Sequence, residues 1–142
     1  MKRYMITIAI LSLLALGSRA QEKDGGIKIS VKINGLSNNE GKLMIALYNS
    51  ESSFLNKHYM ACSGIITNKE SNVVFNNIKP GTYAISCYHD QNSNQQLDFN
   101  SMGIPKEPIA ASNDAKGFFG PPKFKDAKFE ISDQNKKLII NF

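Results

Sequence analysis

Oxygen-bearing side chains fall at every second position of one short stretch: Asp90, Asn92, Asn94, Gln96 and Asp98. Hard cations such as Ca²⁺ take oxygen ligands at this alternate spacing when one tight loop wraps around them. Asp90 and Asp98 would supply carboxylates, Asn92 and Asn94 amide oxygens, and Gln96 its backbone carbonyl. The stretch therefore predicts a calcium site that is weak, with a dissociation constant of about 0.1–1 mM, because it carries only two formal charges.

The same residue types also build loops without a metal. Asp and Asn side chains accept hydrogen bonds from backbone N–H groups a few residues ahead, which produces Asx turns. Ser101 stands where a helix-flanked calcium loop has a bidentate Glu, and Gln95 stands where such a loop has a Gly. A positive φ at Gln95 would cost on the order of 1 kcal/mol. Calcium binding and a turn-only loop are both open interpretations of this stretch.

Acid–base chemistry is a further interpretation of the stretch. A secreted enzyme could use Asp90, Asp98 and His89, and it would need a deep pocket that gathers the three side chains. Adjacent strand residues such as His89 and Asp90 face opposite sides of a sheet, however. No serine of the chain lies in a nucleophile elbow either. The residues therefore favour a non-catalytic protein, either a binding module or a structural component of the envelope, with the secreted enzyme as the alternative.

A second stretch of interest, residues 116–124, combines three phenylalanines with two adjacent prolines. One interpretation has Phe119 and Phe124 folding back over an open end of the fold. The other has Phe118 forming an exposed apolar edge, together with Ile104 and Pro105, that binds a partner. Long ordered loops are more often functional than idle. The candidate partner-binding residues are Ile104, Pro105, Phe118, Phe119, Pro121, Pro122 and Phe124.

Residues 1–20 predict a secretory signal peptide. A basic start precedes an almost wholly apolar run from Tyr4 to Leu16, and small residues lead to a cleavage site after Ala20. About 13 apolar residues are fewer than the roughly 20 that span a bilayer. No later segment is long or apolar enough to span one. We therefore expect export to the periplasm, the outer surface or the medium, with residues 21–142 forming a single domain.

The composition argues against nucleic-acid binding. The net charge of +5 falls to about +2 once the three basic residues of the signal peptide are removed. No Arg follows residue 20, and the chain has no Trp. Nucleic-acid readers depend on Arg forks and clustered positive charge. The expected partners are instead an envelope protein, a peptide or a surface glycan.

The two cysteines, Cys62 and Cys87, would lie in a compartment that permits disulfides. A bond between them would contribute roughly 3 kcal/mol by restricting the unfolded chain. The alternative is that they lie on different strands, too far apart to join. Spacing alone does not decide between the two.

Predicted strands determine where these candidate residues lie in the fold. Residues 27–33 alternate strictly between apolar and polar, which predicts a half-buried strand, and residues 42–49 are expected to pair with it as a hairpin. The Pro80-Gly81 turn leads into a strand that ends at His89, beside the alternating oxygens. Residues 127–132 and 136–142 are expected to form a closing pair.

About seven short strands with turn signals between them, and no helical period, predict an all-β fold. We expect a β-sandwich of the immunoglobulin-like or prealbumin-like kind. Residues 90–124 would form one long, ordered loop excursion from it.

Three ordered signatures resemble the bacterial family known as domain of unknown function 2141. They run from Phe75 to Ala84, from His89 to Asp98, and from Gly103 to Ala127. Together they extend the resemblance over nearly all of residues 27–142. It implies export and a sandwich similar to transthyretin-like and collagen-adhesin repeat domains, but no reaction. The chain departs from the usual pattern at Gln95, where Gly is more typical.

Overall fold

The computed structural model describes residues 25–142, so the predicted signal peptide lies outside the described residues. Within them, no helix is long and apolar enough to cross a membrane. A 3₁₀ turn spans Ser112–Asp114, and a short helix α1 spans Phe124–Ala127. The strands of the described part are β1 (Ile27–Asn34), β2 (Lys42–Tyr48), β3 (Met60–Gly64), β4 (Ser71–Ile78), β5 (Gly81–Asp90), β6 (Ile109–Ala111), β7 (Phe129–Ile131) and β8 (Lys136–Asn141).

These strands form two sheets, which confirms the predicted all-β sandwich. One sheet has the order β4-β1-β8, and the other has the order β3-β2-β5-β6, with β7 also pairing with β5. Strands β1 and β8 are parallel, and the other pairs are antiparallel. β5 is the longest strand and the centre of the larger sheet, and both candidate stretches follow from it.

Both predicted hairpins are wrong, and for the same reason. β1 pairs with β4 and β8, whereas β2 pairs with β3 and β5, so the connection between them crosses from one sheet to the other. The closing pair is divided in the same way, because β7 joins β5 and β8 joins β1. Alternation along a strand defines its buried face but does not identify its neighbour.

The hydrophobic core lies between the two sheets. In β5, Tyr83, Ile85 and Cys87 point into this core, and His89 continues the same buried face. Burying a large apolar side chain contributes about 1.5–3 kcal/mol. The stretch of alternating oxygens from Asp90 to Asp98 therefore begins directly after the last core-facing residue of β5. Other core residues are Ile29, Val31, Ile33, Leu43, Ile45, Leu47, Val73, Phe75, Phe129, Ile131 and Ile140.

The long excursion contains regular structure that the sequence analysis did not predict. β6 pairs with the middle of β5, and the hydroxyl of Ser112 accepts the N–H of Ile85 at 2.9 Å and donates to the carbonyl of Ala127 at 2.6 Å. Ala127 in turn packs with Ala84 and Ala111. The excursion is therefore two loops, residues 91–108 and 115–123, on either side of a short strand.

Of the two alternatives for Cys62 and Cys87, the structure has the one without a disulfide. Both cysteines are free, and both pair with Ile45 from opposite sides of β2. Residues two strands apart are separated by about 10 Å, beyond the roughly 7 Å between Cα atoms that a disulfide tolerates. Burial raises the pKa of the Cys87 thiol to about 12.

Candidate functional site

The first loop is built on the side chain of Asp90, which is fully buried at the end of β5. Its two carboxylate oxygens accept the backbone N–H groups of Asn94 at 3.1 Å and Gln95 at 2.9 Å. Hydrogen bonds to a charged group contribute about 1.5–3 kcal/mol each. Gln95 has a φ of 63°, so the residue at the expected Gly position does adopt a left-handed conformation. The carboxylate thus turns the chain back toward its own strand.

The other alternating residues complete the turn among themselves. Asn92 Oδ1 accepts the N–H of Asn94 at 3.1 Å, and Asn94 Oδ1 accepts the N–H of Gln96 at 2.9 Å. Their side-chain amides donate to the carboxylate of Asp98, at 2.7 Å from Asn92 and 3.0 Å from Asn94. These are the Asx turns that the metal-free interpretation requires. The five predicted residues therefore form one hydrogen-bonded turn.

Glu107 belongs to this loop, and sequence reasoning missed it. Its side chain is buried, and its carboxylate accepts the N–H of Gln91 at 3.2 Å and the N–H of Asp98 at 3.3 Å. The N–H of Lys106 adds a hydrogen bond to the carbonyl of Asp98 at 2.8 Å. Glu107 thereby clamps the start of the loop to its end. The only signal in the sequence was a single acid between two prolines, which does not indicate a partner.

Negative charge is concentrated around this loop. Burial raises the pKa of the nearby Tyr88 hydroxyl, and the charges of Asp90, Glu107 and Asp98 raise it further. Among residues 25–142 the one ion pair joins Lys32 to Glu70 elsewhere, so no lysine neutralises these carboxylates. In the same part of the chain, no three His, Cys, Asp or Glu side chains form a group that could hold a metal. A cation here would depend on amide and backbone oxygens as well.

Two of the three proposed acid–base residues are inaccessible. His89 and Asp90 are both fully buried. The Nε2 atom of His89 lies 2.8 Å from the carbonyl oxygen of Glu40, and since a carbonyl can only accept, Nε2 carries the proton. A concavity of about 450 Å³ on the outer face of the larger sheet is lined by neither residue, nor by Asp98, but by Tyr88 and its neighbours. The three side chains do not gather in a pocket.

The second loop presents two adjacent aromatic rings to solvent. The side chains of Phe118 and Phe119 are 91% and 96% exposed, and their rings meet edge to face with centroids 4.5 Å apart. Gly117 approaches the carbonyl of Gly120 so closely that a Cβ would overlap it. The loop is therefore pinched at its base, and the two rings form its tip. The interpretation in which Phe119 folds back over the sandwich is wrong.

Phe124 is the phenylalanine that folds back. It begins α1, and its half-buried ring lies 5.7 Å from the ring of Phe54, which in turn meets Tyr48 at 5.2 Å. Pro122 is half-buried beside it and Pro121 is exposed. Phe124 therefore anchors the end of the loop and is not part of its exposed surface.

Ile104 and Pro105 lie in the first loop, where Ile104 is 53% exposed and Pro105 forms a bridge with Phe99. That loop leaves β5 at Asp90, whereas the second loop leaves from Ser112, which is bonded to Ile85. Five residues along a strand span about 17 Å. The predicted edge combining Phe118 with Ile104 and Pro105 is thus divided between two separately attached loops.

The fold and site define a β-sandwich with two ordered loops after its central strand, one polar and acidic and the other tipped by aromatic rings. Residues 31–139 match the model of a family described as "Uncharacterized protein conserved in bacteria (DUF2141)", and the chain belongs to that family. The match confirms the resemblance found in the three signatures. No curated protein and no solved structure matches the chain.

Proposed function

We propose that this protein is an exported, non-catalytic binding module that attaches to a component of the bacterial envelope through the tip formed by Phe118 and Phe119. The observation that carries the proposal is the near-complete exposure of two adjacent aromatic rings, 91% and 96%. A large apolar side chain that stays in water lacks the stabilisation of about 1.5–3 kcal/mol that its burial would provide. Exposed apolar clusters of this kind mark interaction sites.

Two further observations support this assignment. The signal-peptide pattern of residues 1–20 supports export. The complete burial of His89 and Asp90 supports a non-catalytic role, because neither side chain can reach a substrate. The partner classes suggested by the sequence, an envelope protein, a peptide or a glycan, are all components that an exported protein meets.

We also propose that Ca²⁺ binds weakly to the first loop and stabilises it. The proposal is supported by the alternating oxygens and by the unneutralised charges of Asp90, Asp98 and Glu107. Binding at Asp98 requires the amides of Asn92 and Asn94 to rotate so that oxygen, not nitrogen, faces the ion. That rotation breaks two Asx turns, which is the reason for the low affinity.

A double substitution tests the binding role. Cells producing the full chain are fractionated, and wild-type protein is expected in the envelope fraction. Phe118→Ser combined with Phe119→Ser should release the protein into the soluble fraction without changing its melting temperature, since the rings contact little besides each other. Ile65→Ser is the matched control, because Ile65 is 85% exposed in a different turn. Envelope retention of the double variant at the wild-type level would overturn the proposal.

A further inference from the structure

We infer that the envelope component bound by this loop is the surface of an anionic lipid bilayer. The inference rests on the proposed function, because it names the partner class of the same loop.

The charged residues that flank the tip along the chain are all lysines. Lys116, Lys123 and Lys125 are exposed, and no acidic residue lies between Ala115 and Lys125. The one ion pair in the described part of the chain lies elsewhere. The three ammonium groups are thus free to meet anionic headgroups, and each lysine near such a surface strengthens binding about fivefold.

The nearest acids offset this charge only in part. Asp114 is engaged by Asn141, whose backbone and side-chain N–H groups donate to its carboxylate at 3.1–3.3 Å. Asp126, in α1, lines the concavity beside the tip together with Lys116, Lys123 and Lys125, so three positive charges there face one negative charge. The loop therefore presents an apolar tip with a basic collar.

The tip is also too small to serve as a protein interface by itself. An aromatic side chain buries about 150–250 Å², so the two rings supply at most about 500 Å². A stable protein–protein contact needs about 800 Å² from each partner. A bilayer needs no matching surface, because apolar groups inserted about 5–10 Å deep with basic groups at the headgroup level bind by partition.

The other exposed apolar loop gives a contrast within the same molecule. Met102 is 77% exposed and Ile104 is 53% exposed, but their loop is closed by the carboxylates of Asp98 and Glu107. The one lysine of that loop, Lys106, is exposed, but Asp98, Glu107 and the adjoining Asp90 outnumber it, so anionic headgroups would repel the loop. Both loops expose apolar side chains, but only the second combines them with several lysines. The second loop is therefore the one that we assign to the membrane.

A single tryptophan reports insertion, because the natural chain has none. Phe118→Trp, purified after export, is mixed with vesicles of phosphatidylcholine containing phosphatidylglycerol, or of phosphatidylcholine alone. We expect a blue shift of the emission with the anionic vesicles and binding weaker by about fivefold or more for Lys116→Gln in the same background. Removing the second ring with Phe119→Ser should weaken binding about tenfold or more. Ile65→Trp is the control and should keep the emission of a tryptophan in water.

Unshifted emission of Phe118→Trp at saturating anionic vesicles, in protein that melts like wild type, overturns the inference. Equal binding to both kinds of vesicle overturns the role of the lysines. If vesicles fail to bind while envelope retention still depends on Phe118 and Phe119, the partner is a protein or a glycan, and the proposed function stands without this inference. If envelope retention is also independent of Phe118 and Phe119, both the membrane inference and the proposed function are overturned.

Discussion

Asn94 is the residue that joins the two ends of the first loop. Its backbone N–H donates to Asp90, and its side-chain amide donates to Asp98. Alternate spacing suits this turn, because in an Asx turn a side-chain oxygen accepts the N–H two residues ahead, as Asn92 does from Asn94 and Asn94 from Gln96. One buried carboxylate and one half-exposed carboxylate are thereby held in a single hydrogen-bonded turn.

The two carboxylates should differ in their contributions to stability. Asp90→Asn replaces one acceptor with an amide that cannot accept the facing backbone N–H, so we expect a loss of about 2–3 kcal/mol. Asp98→Asn acts at a more exposed group, and the loss should be below about 1 kcal/mol. Urea denaturation measures both, with Asp133→Asn in an exposed turn as the control. Equal losses for the two variants would contradict the assigned role of Asp90.

The buried thiol of Cys87 predicts a pH dependence. Its pKa rises from an ordinary 9.0 to about 12 in the folded protein because the thiol is buried. Above pH 9 the unfolded chain loses this proton while the folded protein keeps it, so stability is full below pH 9 and falls as pH rises. Between pH 9 and 10 the loss should be about 1 kcal/mol.

Denaturation at pH 8, 9 and 10 measures this slope. Cys87→Ala should show a smaller decrease than wild type over the same interval, whereas Cys62→Ala should resemble wild type more closely because Cys62 is only half-buried. An identical slope in wild type and Cys87→Ala would contradict the assignment.

At the scale of single residues, local pattern was informative only where partners are near in sequence. The turn from Asp90 to Asp98 could be predicted, as could a left-handed Gln95, because each depends on residues within a few positions. Glu107 could not, since its partner Gln91 is sixteen residues away and a lone carboxylate does not identify a distant N–H. The separation of Cys62 from Cys87 likewise depended on β2 lying between them.

At the scale of elements, strands were predictable but their neighbours were not. The alternation of β1 and the turn before β5 located both strands, because burial of one face requires that pattern. Nothing in β1 indicates that its partners are β4 and β8 and not β2. β6 was missed because it has only three residues, too few for a period to be visible.

The phenylalanines in and after the second loop should differ in how much they contribute to the stability of the fold. Phe124→Ser removes a half-buried ring that packs on Phe54, so we expect a loss of about 1–2 kcal/mol in the free energy of unfolding. Phe118→Ser removes a ring in solvent, and the change should lie within about 0.5 kcal/mol. Thermal or urea unfolding compares the two. A larger loss for Phe118→Ser would mean that the tip is part of the core.

At the scale of the whole molecule, calcium should raise the melting temperature. Stabilisation is about 1.4 kcal/mol at ten times the dissociation constant, which is about 4–6 °C for a domain of this size. Wild type should therefore melt higher in 10 mM Ca²⁺ than in EDTA, and 10 mM Mg²⁺ should have less effect because Mg²⁺ demands octahedral geometry. Asp98→Asn should abolish the difference. Identical melting temperatures with Ca²⁺ and with EDTA would contradict calcium binding and favour a loop closed by Asx turns without a metal.

The residues that stabilise the fold are separate from the residues of the proposed binding tip. The sandwich buries its apolar residues between two sheets, and the first loop is closed by its own hydrogen bonds. The tip at Phe118 and Phe119 adds little to either. This pair of rings, which the fold does not use, is the surface that we propose for a partner outside the chain.

Site-specific crosslinking tests that assignment most directly. A photoreactive phenylalanine analogue is introduced at position 118 or, as the control, at position 65, and intact cells are irradiated before the protein is recovered and its mass measured. We predict adducts with an envelope component at position 118 well above those at position 65. Equal labelling at the two positions would contradict the claim that the tip is the binding surface.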